Sequence, residues 1–536
     1  MSRVFLIGFM GSGKSTVGRM VADRLGMPFV DLDQEVSRRA GASIAEIFAR
    51  SGEEGFRALE HETLRAVAEG PDAVVACGGG VVLRDENRQL LKRSGTVVYL
   101  AVSAEEALAR IGDVSGRPLL AGDARAIAPR ILAARLALYR ATADITVDTM
   151  ARTPQEVVEE VVLQLAGRAR RVVRVEVDPP YDVVLGMGVA DEVPDVVAPL
   201  ASSGTVAVIS DENVADLHGQ GVLDALVRRG LRAFLVRVPP GEGAKSWNGA
   251  GELLERFAAL GLDRGSVVVA VGGGVVGDLA GFVASVYMRG IPVVQVPTTL
   301  LAQVDSSIGG KTGVDLAAGK NLAGTFWQPH AVVSDQAVLH TLPDAEWANG
   351  WAEVVKTALL AGGALWDLAS TSAEHLAARD DRAVGTAVEG CVRFKACVVA
   401  ADQGESLGFR ECLNLGHTLG HAIEREAGYG TVPHGIAVAE GLRFASRISV
   451  TLAGADAGLP DEVGRILDEL GVPRAPLGSM SADALVDAMR ADKKARGGAI
   501  RLVLLRAPGD WTVAPVPEDR LRAEVQRFLA EGGDAR

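Results

Sequence analysis

The sequence predicts an α/β protein in three parts: a parallel-sheet domain with helices on both faces, another α/β region, and a mainly helical region. Three observations carry this. Apolar β-branched runs alternate with helical stretches twice, first up to about residue 150 and again from Thr205. Each of the two series places a glycine-rich turn between a strand and a helix, at Gly8 and at Gly272. Beyond about Pro343 the strand signals nearly vanish and Ala- and Leu-rich helical segments take over.

Taken in order, VFLIGF from Val4 reads as a buried strand and Lys14 to Leu25 as a helix. PFVDLD (28–33), AVVACGGG (73–80), TVVYLAV (96–102) and ITVDT (145–149) complete the first set of strands. A helical stretch follows Pro154, then the basic run Arg168 to Arg171, where a boundary belongs. New strands start at VRVEV (173–177) and YDVVLG (181–186), then VAVIS (206–210), AFLVRVP (233–239), SVVVAVGGG (266–274) and VVQVPTT (293–299). EWANGWAEVVKTALLAG (346–362) and HTLGHAIERE (417–426) read as helices, with one late strand at AIRLVLL (499–505). The expected domains are 1–168, a linker at 169–175, an α/β region over 176–342, and a helical region over 343–536. GGGVV occurs at Gly78 and Gly272, but the flanks differ, so it marks no repeat.

Composition narrows the functional classes. A chain of 536 residues with 48% hydrophobic and 23% charged residues has the material for several globular cores. Only 4% of residues are aromatic while 63 are glycine, which favours tightly turned α/β architecture over an aromatic binding surface. A net charge of −13 excludes a general nucleic-acid binder, which needs a basic face. A local cluster of Lys and Arg can still hold small anionic substrates. Cys77, Cys391, Cys397 and Cys412 form no C-x-x-C pair, which points to a reducing cytoplasm. The apolar run from Val4 to Met10 leads into a phosphate loop rather than a cleavage site, and no apolar stretch reaches roughly 18 residues, so neither secretion nor a membrane is expected.

The first constellation is Gly8-Phe9-Met10-Gly11-Ser12-Gly13-Lys14-Ser15, a match to G-x-x-x-x-G-K-[ST] between a strand and a helix. Backbone N–H groups at such a turn cradle phosphate oxygens, the lysine neutralises charge, and the hydroxyl reaches Mg²⁺. ATP or GTP binding follows from the residues alone. Downstream come Asp31-Leu32-Asp33, Glu54-Gly55-Phe56-Arg57-Ala58-Leu59-Glu60, Gly78-Gly79-Gly80 and Gly116-Arg117-Pro118-Leu119-Leu120. With the phosphate loop, this order resembles shikimate kinase. The resemblance implies a P-loop kinase domain. It implies ATP on Gly11 to Thr16 (Gly11, Ser12, Gly13, Lys14, Ser15, Thr16), with Arg110 near the adenine. Shikimate is implied on Asp33, Arg57, Gly79, Gly80 and Arg135, and Mg²⁺ on Ser15 and, through water, Asp31. Lys14, Asp33 and the lid residue Arg117 are the implied catalytic groups. Arg135 lies in Arg135-Leu136-Ala137-Leu138-Tyr139, where the family commonly has a proline.

The second constellation begins at Gly272-Gly273-Gly274-Val275-Val276-Gly277-Asp278, a strand–turn–helix glycine run that lets a dinucleotide pyrophosphate approach the backbone. Glu353 in GWAEVVK, His417 and His421 in LNLGHTLGH, and His434 in VPHG suggest a metal site. A spacing of four puts His417 and His421 on one helical face. Lys356 lies one turn from Glu353. Together with GGGVVGDLAGFVAS (272–285), YMRGIPVVQVPTTLLAQVDSSIGGKTGVD (287–315) and GKNLAGTFWQP (319–329), the chain after about residue 175 resembles 3-dehydroquinate synthase. That resemblance implies a Rossmann-like α/β NAD-binding domain and a mainly α-helical metal-binding domain. It implies Glu353, His417 and His434 as ligands of Zn²⁺ or Co²⁺, leaving His421 near the substrate phosphate. Lys320, Asn321, Lys356, Arg410, Asn414 and one of Lys493 and Lys494 are implied on substrate. Lys311, Lys356, Arg410, Asn414 and His421 are the implied catalytic groups. The implied NAD contacts are Asp211, Asn213, Glu242, Lys245, Gly273, Gly274, Asp278, Thr298, Thr299, Asp305, Lys311, Lys320 and Thr341. Ile436 and Leu419 depart from the family's usual Glu and Phe.

The expectation is a cytoplasmic bifunctional enzyme of aromatic amino acid biosynthesis, using ATP with Mg²⁺, NAD and zinc on small-molecule substrates, and forming a homodimer through the synthase half. Two alternatives stay open at this stage: a different sugar-phosphate cyclase in the second half, or one half acting only as a binding module.

Overall fold

The structure, a computed structural model, describes residues 3–111, 122–165, 170–428, 430–478, 480–493 and 500–532. They fall into two compact units, Met1–Ala169 and Arg170–Arg536. Each is considered separately.

In the first unit β1 (Val4–Ile7), β2 (Phe29–Asp31), β3 (Val74–Ala76), β4 (Thr96–Ala101) and β5 (Ile145–Asp148) form one sheet in the order β2-β3-β1-β4-β5. All four pairings are parallel. In β1, β3 and β4 successive side chains alternate between two buried faces, which is why these strands read as unbroken apolar runs. Phe5, Ile7, Val75, Val97 and Tyr99 pack against Leu64, Leu90 and Tyr139 on one face. Val4, Leu6, Val98 and Leu100 meet Val17, Val21, Val157 and Val161 on the other. The chain leaves β1 toward β2 on one side and leaves β3 toward β4 on the other. The crevice therefore opens at the carboxyl ends of β1 and β3, where ligands of open α/β sheets bind.

The second unit contains β6 (Arg171–Val175), β7 (Tyr181–Gly186), β8 (Thr205–Asp211), β9 (Arg232–Val238), β10 (Val267–Gly272), β11 (Val293–Pro297), β12 (Lys311–Leu316), β13 (Gly319–Phe326), β14 (Ala331–Asp335), β15 (Arg501–Ala507) and β16 (Asp510–Pro515). Seven of these make a sheet in the order β6-β7-β14-β11-β10-β8-β9. Only the β6–β7 pairing is antiparallel. Here the chain reverses direction across β8 and β10, joined in register at Ile209 and Ala270, so their carboxyl ends form a second crevice.

Beyond it the chain is helical. The Asp344–Ala361 helix starts after Pro343 with Asp344 and Glu346 in its first turn, and the His434–Ala453 helix crosses the same core. Both are buried nearly all round, as central helices are. Two hairpins were not foreseen in the sequence: β12–β13, and the pairing of the expected late strand β15 with β16. Among the described residues no helix is long and apolar enough to cross a membrane.

Candidate active sites

In the first unit the loop after β1 enters the Lys14–Leu25 helix through Gly13. Gly11 has φ +77°, and a Cβ there would lie 2.5 Å from the Ala107 carbonyl oxygen, so no side chain fits the turn. Lys14 Nζ donates to the Gly8 and Phe9 carbonyls at 2.9 and 2.8 Å. Ser12 Oγ is buried without a hydrogen-bond partner inside this loop. A phosphate oxygen supplies what that hydroxyl lacks, so the loop fits an anionic ligand. Ser15 Oγ donates to Asp31 Oδ2 at 2.7 Å, and Asp31 Oδ1 caps the next helix through the N–H groups of Asp33 and Gln34. The hydroxyl and carboxylate foreseen for Mg²⁺ therefore stand together.

The acceptor side converges on the glycines after β3. Arg57 Nη1 donates to Glu60 Oε2 at 2.7 Å and Nη2 to Glu53 Oε1 at 3.2 Å. Glu60 is fully buried. Burial raises its pKa, and the nearby Asp33 adds to the rise against Arg57 and Arg135. Arg57 loses by burial but gains more from Glu60 and Glu53, so its pKa ends above the ordinary value. Arg135 Nη1 donates to the Gly79 carbonyl at 3.0 Å, which also accepts from the Tyr139 hydroxyl. A Cβ on Gly80 would lie 2.1 Å from Arg57 Nη2. Arg110 holds Thr149 Oγ1 at 3.0 Å and Glu106 at 2.6 Å, just beyond β5. Arg117 lies outside the described residues.

In the second unit, the Gly274–Val286 helix starts directly after Gly273 at the end of β10. Thr298 N donates to the Gly272 carbonyl at 3.0 Å, while Thr298 Oγ1 is buried without a partner. Thr299 Oγ1 accepts from Ala302 N. Asp211, ending β8, caps the N–H groups of Asn213 and Val214, and Asn213 itself is exposed. Thr341 Oγ1 meets His218 Nε2 at 2.8 Å. Asp278 pairs with buried Lys245 at 2.8 Å, and Glu242 stands 3.8 Å from the same amine. Burial raises the Asp278 pKa, and Lys245 pulls against it. A glycine turn, an orphaned hydroxyl and a strand-end carboxylate at a reversal crevice fit a dinucleotide.

The metal-type cluster is built by three helices. Glu353 sits on the Asp344–Ala361 helix, and His417 and His434 begin the His417–Ala427 and His434–Ala453 helices. Glu353 Oε1 has no hydrogen-bond donor, yet His417 Nε2 lies 3.4 Å and His434 Nε2 3.7 Å away. Tetrahedral bonds of about 2.1 Å place ligand atoms about 3.4 Å apart, so the set fits one divalent ion. His417 Nδ1 faces the Leu415 carbonyl at 3.2 Å and His434 Nδ1 faces Glu424 Oε2 at 3.2 Å, leaving each Nε2 turned inward. Burial brings His417 down to about 4, so it is neutral at pH 7 as a ligand must be. His434 is lowered by burial but raised more by Glu424. His421, one turn past His417, stacks edge-on to it at 5.5 Å.

A backbone contact fixes the spacing of these helices. A Cβ on Gly441 would lie 1.8 Å from the Gly416 carbonyl oxygen, immediately before His417.

Cations crowd the same place. Lys356 is 2% exposed, 2.5 Å from Glu353 Oε2 and 3.5 Å from Asp305 Oδ2. Lys395, not singled out in the sequence, bonds the Asp305 carboxylate and its carbonyl. Burial opposes the charge on Asp305, but Lys356 and Lys395 outweigh it and hold its pKa down. Lys311 on β12 pairs with Glu405 at 2.6 Å. Lys320 on β13 reaches Glu424 at 3.4 Å and Glu242 at 3.9 Å, and Asn321 is held through its N–H by Asp315. Arg410 is 2% exposed, its guanidinium donating to the Gly309 and Gln403 carbonyls. Asn414 is half-buried beside Leu415. Lys494 and the side chain of Lys493 lie outside the described residues.

Glu424 and Lys395 escaped the sequence reading because nothing local marks a helical Glu or Lys as buried. The helix period from His421 to Glu424 was the available signal.

Comparison with known proteins follows the same division. A family model described as shikimate kinase matches residues 10–166. Models described as 3-dehydroquinate synthase N-terminal and C-terminal match 235–349 and 350–495. The 3-dehydroquinate synthase of Caulobacter vibrioides (strain NA1000 / CB15N) is 45% identical over 368 residues, covering 66% of this chain and 96% of that protein. A crystal structure of 2-deoxy-scyllo-inosose synthase complexed with carbaglucose-6-phosphate, NAD+ and Co2+ aligns with a TM-score of 0.60 at 26% identity, over 67% of this chain and 100% of that one. ValA, the 2-epi-5-epi-valiolone synthase of Streptomyces hygroscopicus subsp. jinggangensis 5008 with NAD+ and Zn2+ bound, gives 0.60 at 25% identity, over 66% and 97%.

Proposed function

The chain belongs to the 3-dehydroquinate synthase family and carries a shikimate kinase domain ahead of it, and from that premise we propose how its residues divide the two reactions. It phosphorylates shikimate to shikimate 3-phosphate with ATP, and it converts 3-deoxy-D-arabino-heptulosonate 7-phosphate to 3-dehydroquinate and phosphate. Identity of 45% to a 3-dehydroquinate synthase, against 25–26% to the two other cyclases, favours this product over other carbocycles.

For the kinase, Mg²⁺ held by Ser15 and Asp31 would supply positive charge against the nucleotide phosphates. Lys14 leaves the carbonyls of its own loop to neutralise the transferring phosphoryl group, with the N–H groups of Gly11 to Thr16 around it. Ser15 and Asp31 hold the metal side. Asp33 accepts hydrogen bonds from the acceptor hydroxyls and orients the attacking one. Arg57 and Arg135 take the shikimate carboxylate beside Gly79 and Gly80, and Glu60 keeps the Arg57 fork in place. Arg110 takes the adenine side, and Arg117 is assigned to the lid.

For the synthase, NAD⁺ supplies a recyclable hydride acceptor and Zn²⁺ a Lewis acid when both are bound. Glu353, His417 and His434 hold the metal. Asp211, Asn213, Glu242, Lys245, Gly273, Gly274, Asp278, Thr298, Thr299, Asp305, Lys311, Lys320 and Thr341 line the nucleotide side. Lys311, Lys320, Asn321, Lys356, Arg410, Asn414, His421 and one of Lys493 and Lys494 bind and orient the carboxylate and phosphate of the substrate. Lys356 stays protonated beside Asp305 and Glu353, so it acts as a fixed cation.

The observation that carries this reading is the convergence of His417 and His434 on the buried Glu353 carboxylate, which also faces Lys356. Domains at 1–168, 176–342 and 343–536, a cytoplasmic setting and a homodimer through the synthase half complete the proposal. The test is phosphate release from the heptulosonate phosphate by the purified full chain. Release that requires both NAD⁺ and zinc, without accumulated NADH, is expected. Release indifferent to either would overturn the assignment.

A further inference from the structure

Between the metal cluster and the glycine turn runs an unbroken line of ion pairs. Glu424 lies two turns along the helix that His417 begins, and its side chain is 5% exposed. One oxygen takes His434 Nδ1 at 3.2 Å and the other faces Lys320 Nζ at 3.4 Å. Lys320 belongs to β13 and lies 3.9 Å from Glu242, which lies 3.8 Å from Lys245, which bonds Asp278 at 2.8 Å. Asp278 is one turn beyond Gly274, where the nucleotide helix begins. A solvated pair contributes little, but a buried carboxylate that holds a ligand imidazole on one side and a lysine on the other ties the two positions together. Within this line Glu424 touches the proposed metal ligand His434.

We infer that Glu424 is a positioning residue: it fixes the His434 imidazole for the metal and, through Lys320, couples metal binding to NAD⁺ binding. This deepens the zinc assignment above and rests on it. Coupling between two ligands is reciprocal, so zinc changes the NAD⁺ dissociation constant by the same factor as NAD⁺ changes that of zinc.

The experiment uses the full chain, with zinc affinity from competition with a chromophoric chelator and NAD⁺ affinity from calorimetry with and without zinc. In Glu424→Gln, zinc affinity falls about 10- to 100-fold, the range seen when an outer partner of a ligand histidine is lost. The factor by which zinc changes NAD⁺ affinity moves toward one. Lys320→Met, which leaves the His434 contact intact, loses that factor while keeping zinc affinity within about threefold, because Lys320 acts on His434 through Glu424 and its side chain is about a quarter exposed. The inference is overturned if Glu424→Gln keeps the parent's zinc affinity, if it weakens zinc but keeps the coupling factor, or if the parent shows no coupling. Thermal melting shows that each variant is folded, and if Glu424→Gln does not fold, Lys320→Met alone decides the coupling. His417→Ala tells the two failures apart: undiminished zinc binding there removes the metal assignment itself.

Discussion

Replacing Gly80 by alanine tests whether Arg57 is placed by its surroundings for a substrate carboxylate. The backbone at Gly80 has φ −109° and ψ 3°, a negative φ that is open to alanine in the sparsely allowed bridge region, so the added methyl is the main change. That methyl would lie 2.1 Å from Arg57 Nη2 and 2.3 Å from Cζ and Nη1. The guanidinium is the movable partner, and moving it pulls it from Glu60, on which it depends for its fork geometry. A hydrogen bond to a charged group contributes about 1.5–3 kcal/mol. Losing the aligned contact to the carboxylate should lower kcat/KM for shikimate roughly 10- to 150-fold. The KM for ATP should stay within about twofold, because the phosphate loop is untouched. A coupled assay for ADP with shikimate varied measures the effect, and synthase turnover by the same preparation serves as the control for active protein. An unchanged kcat/KM for shikimate in the folded variant would refute the steric argument. An equal loss for both kinase substrates would refute the placement of Arg57.

Lys14→Ala should lower phosphoryl transfer by about 10²- to 10³-fold, the usual loss for one charge-stabilising donor, with synthase turnover retained; a parallel loss in a folded protein counts against independent sites. Gly441→Ala must push the facing backbones apart, and since Gly416 precedes His417 it should both lower the melting temperature of the second unit and weaken zinc retention. Glu424 is held at about 2 against an ordinary 4.5: burial raises it, and His434 and Lys320 more than offset this. A carboxyl depressed in the folded state stabilises it fully above pH 4.5, and that contribution is lost as pH falls toward 2. Acid unfolding of the metal-free chain should therefore be shallower between those values in Glu424→Gln, followed by circular dichroism; identical slopes would contradict the pairing. Removing zinc with a chelator, then restoring Mg²⁺, should abolish phosphate release from the heptulosonate phosphate and leave shikimate phosphorylation intact.

The central strands of both large sheets were legible because they are buried on two faces and read as continuous apolar runs, VFLI and VVVAVG among them. Sheet order was not legible, since a parallel strand carries no mark of its neighbour. The β12–β13 hairpin stayed hidden in KTGVDL and GKNLAGTF, whose glycines weaken the alternation on which strand reading depends. Helical spacing put Glu353 and Lys356 one turn apart while the resemblance supplied their roles, and the structure pairs them. Arg410 carried the opposite signal: a cation reads as solvated, yet carbonyls brought from Gly309 and Gln403 let it be buried. Glu60 appeared in the sequence only as a motif letter, because its burial, and the approach of Asp33 and Arg135 from distant stretches to join Arg57, are not marked locally.

One polypeptide carries both compact units. Translation therefore yields the two activities at a copy ratio of one, whatever the level of expression. Neither can be raised by transcribing more of it alone. The balance of capacity between the two reactions is written into the rate constants of the two sites, so a substitution that slows one unit shifts that balance in every molecule made.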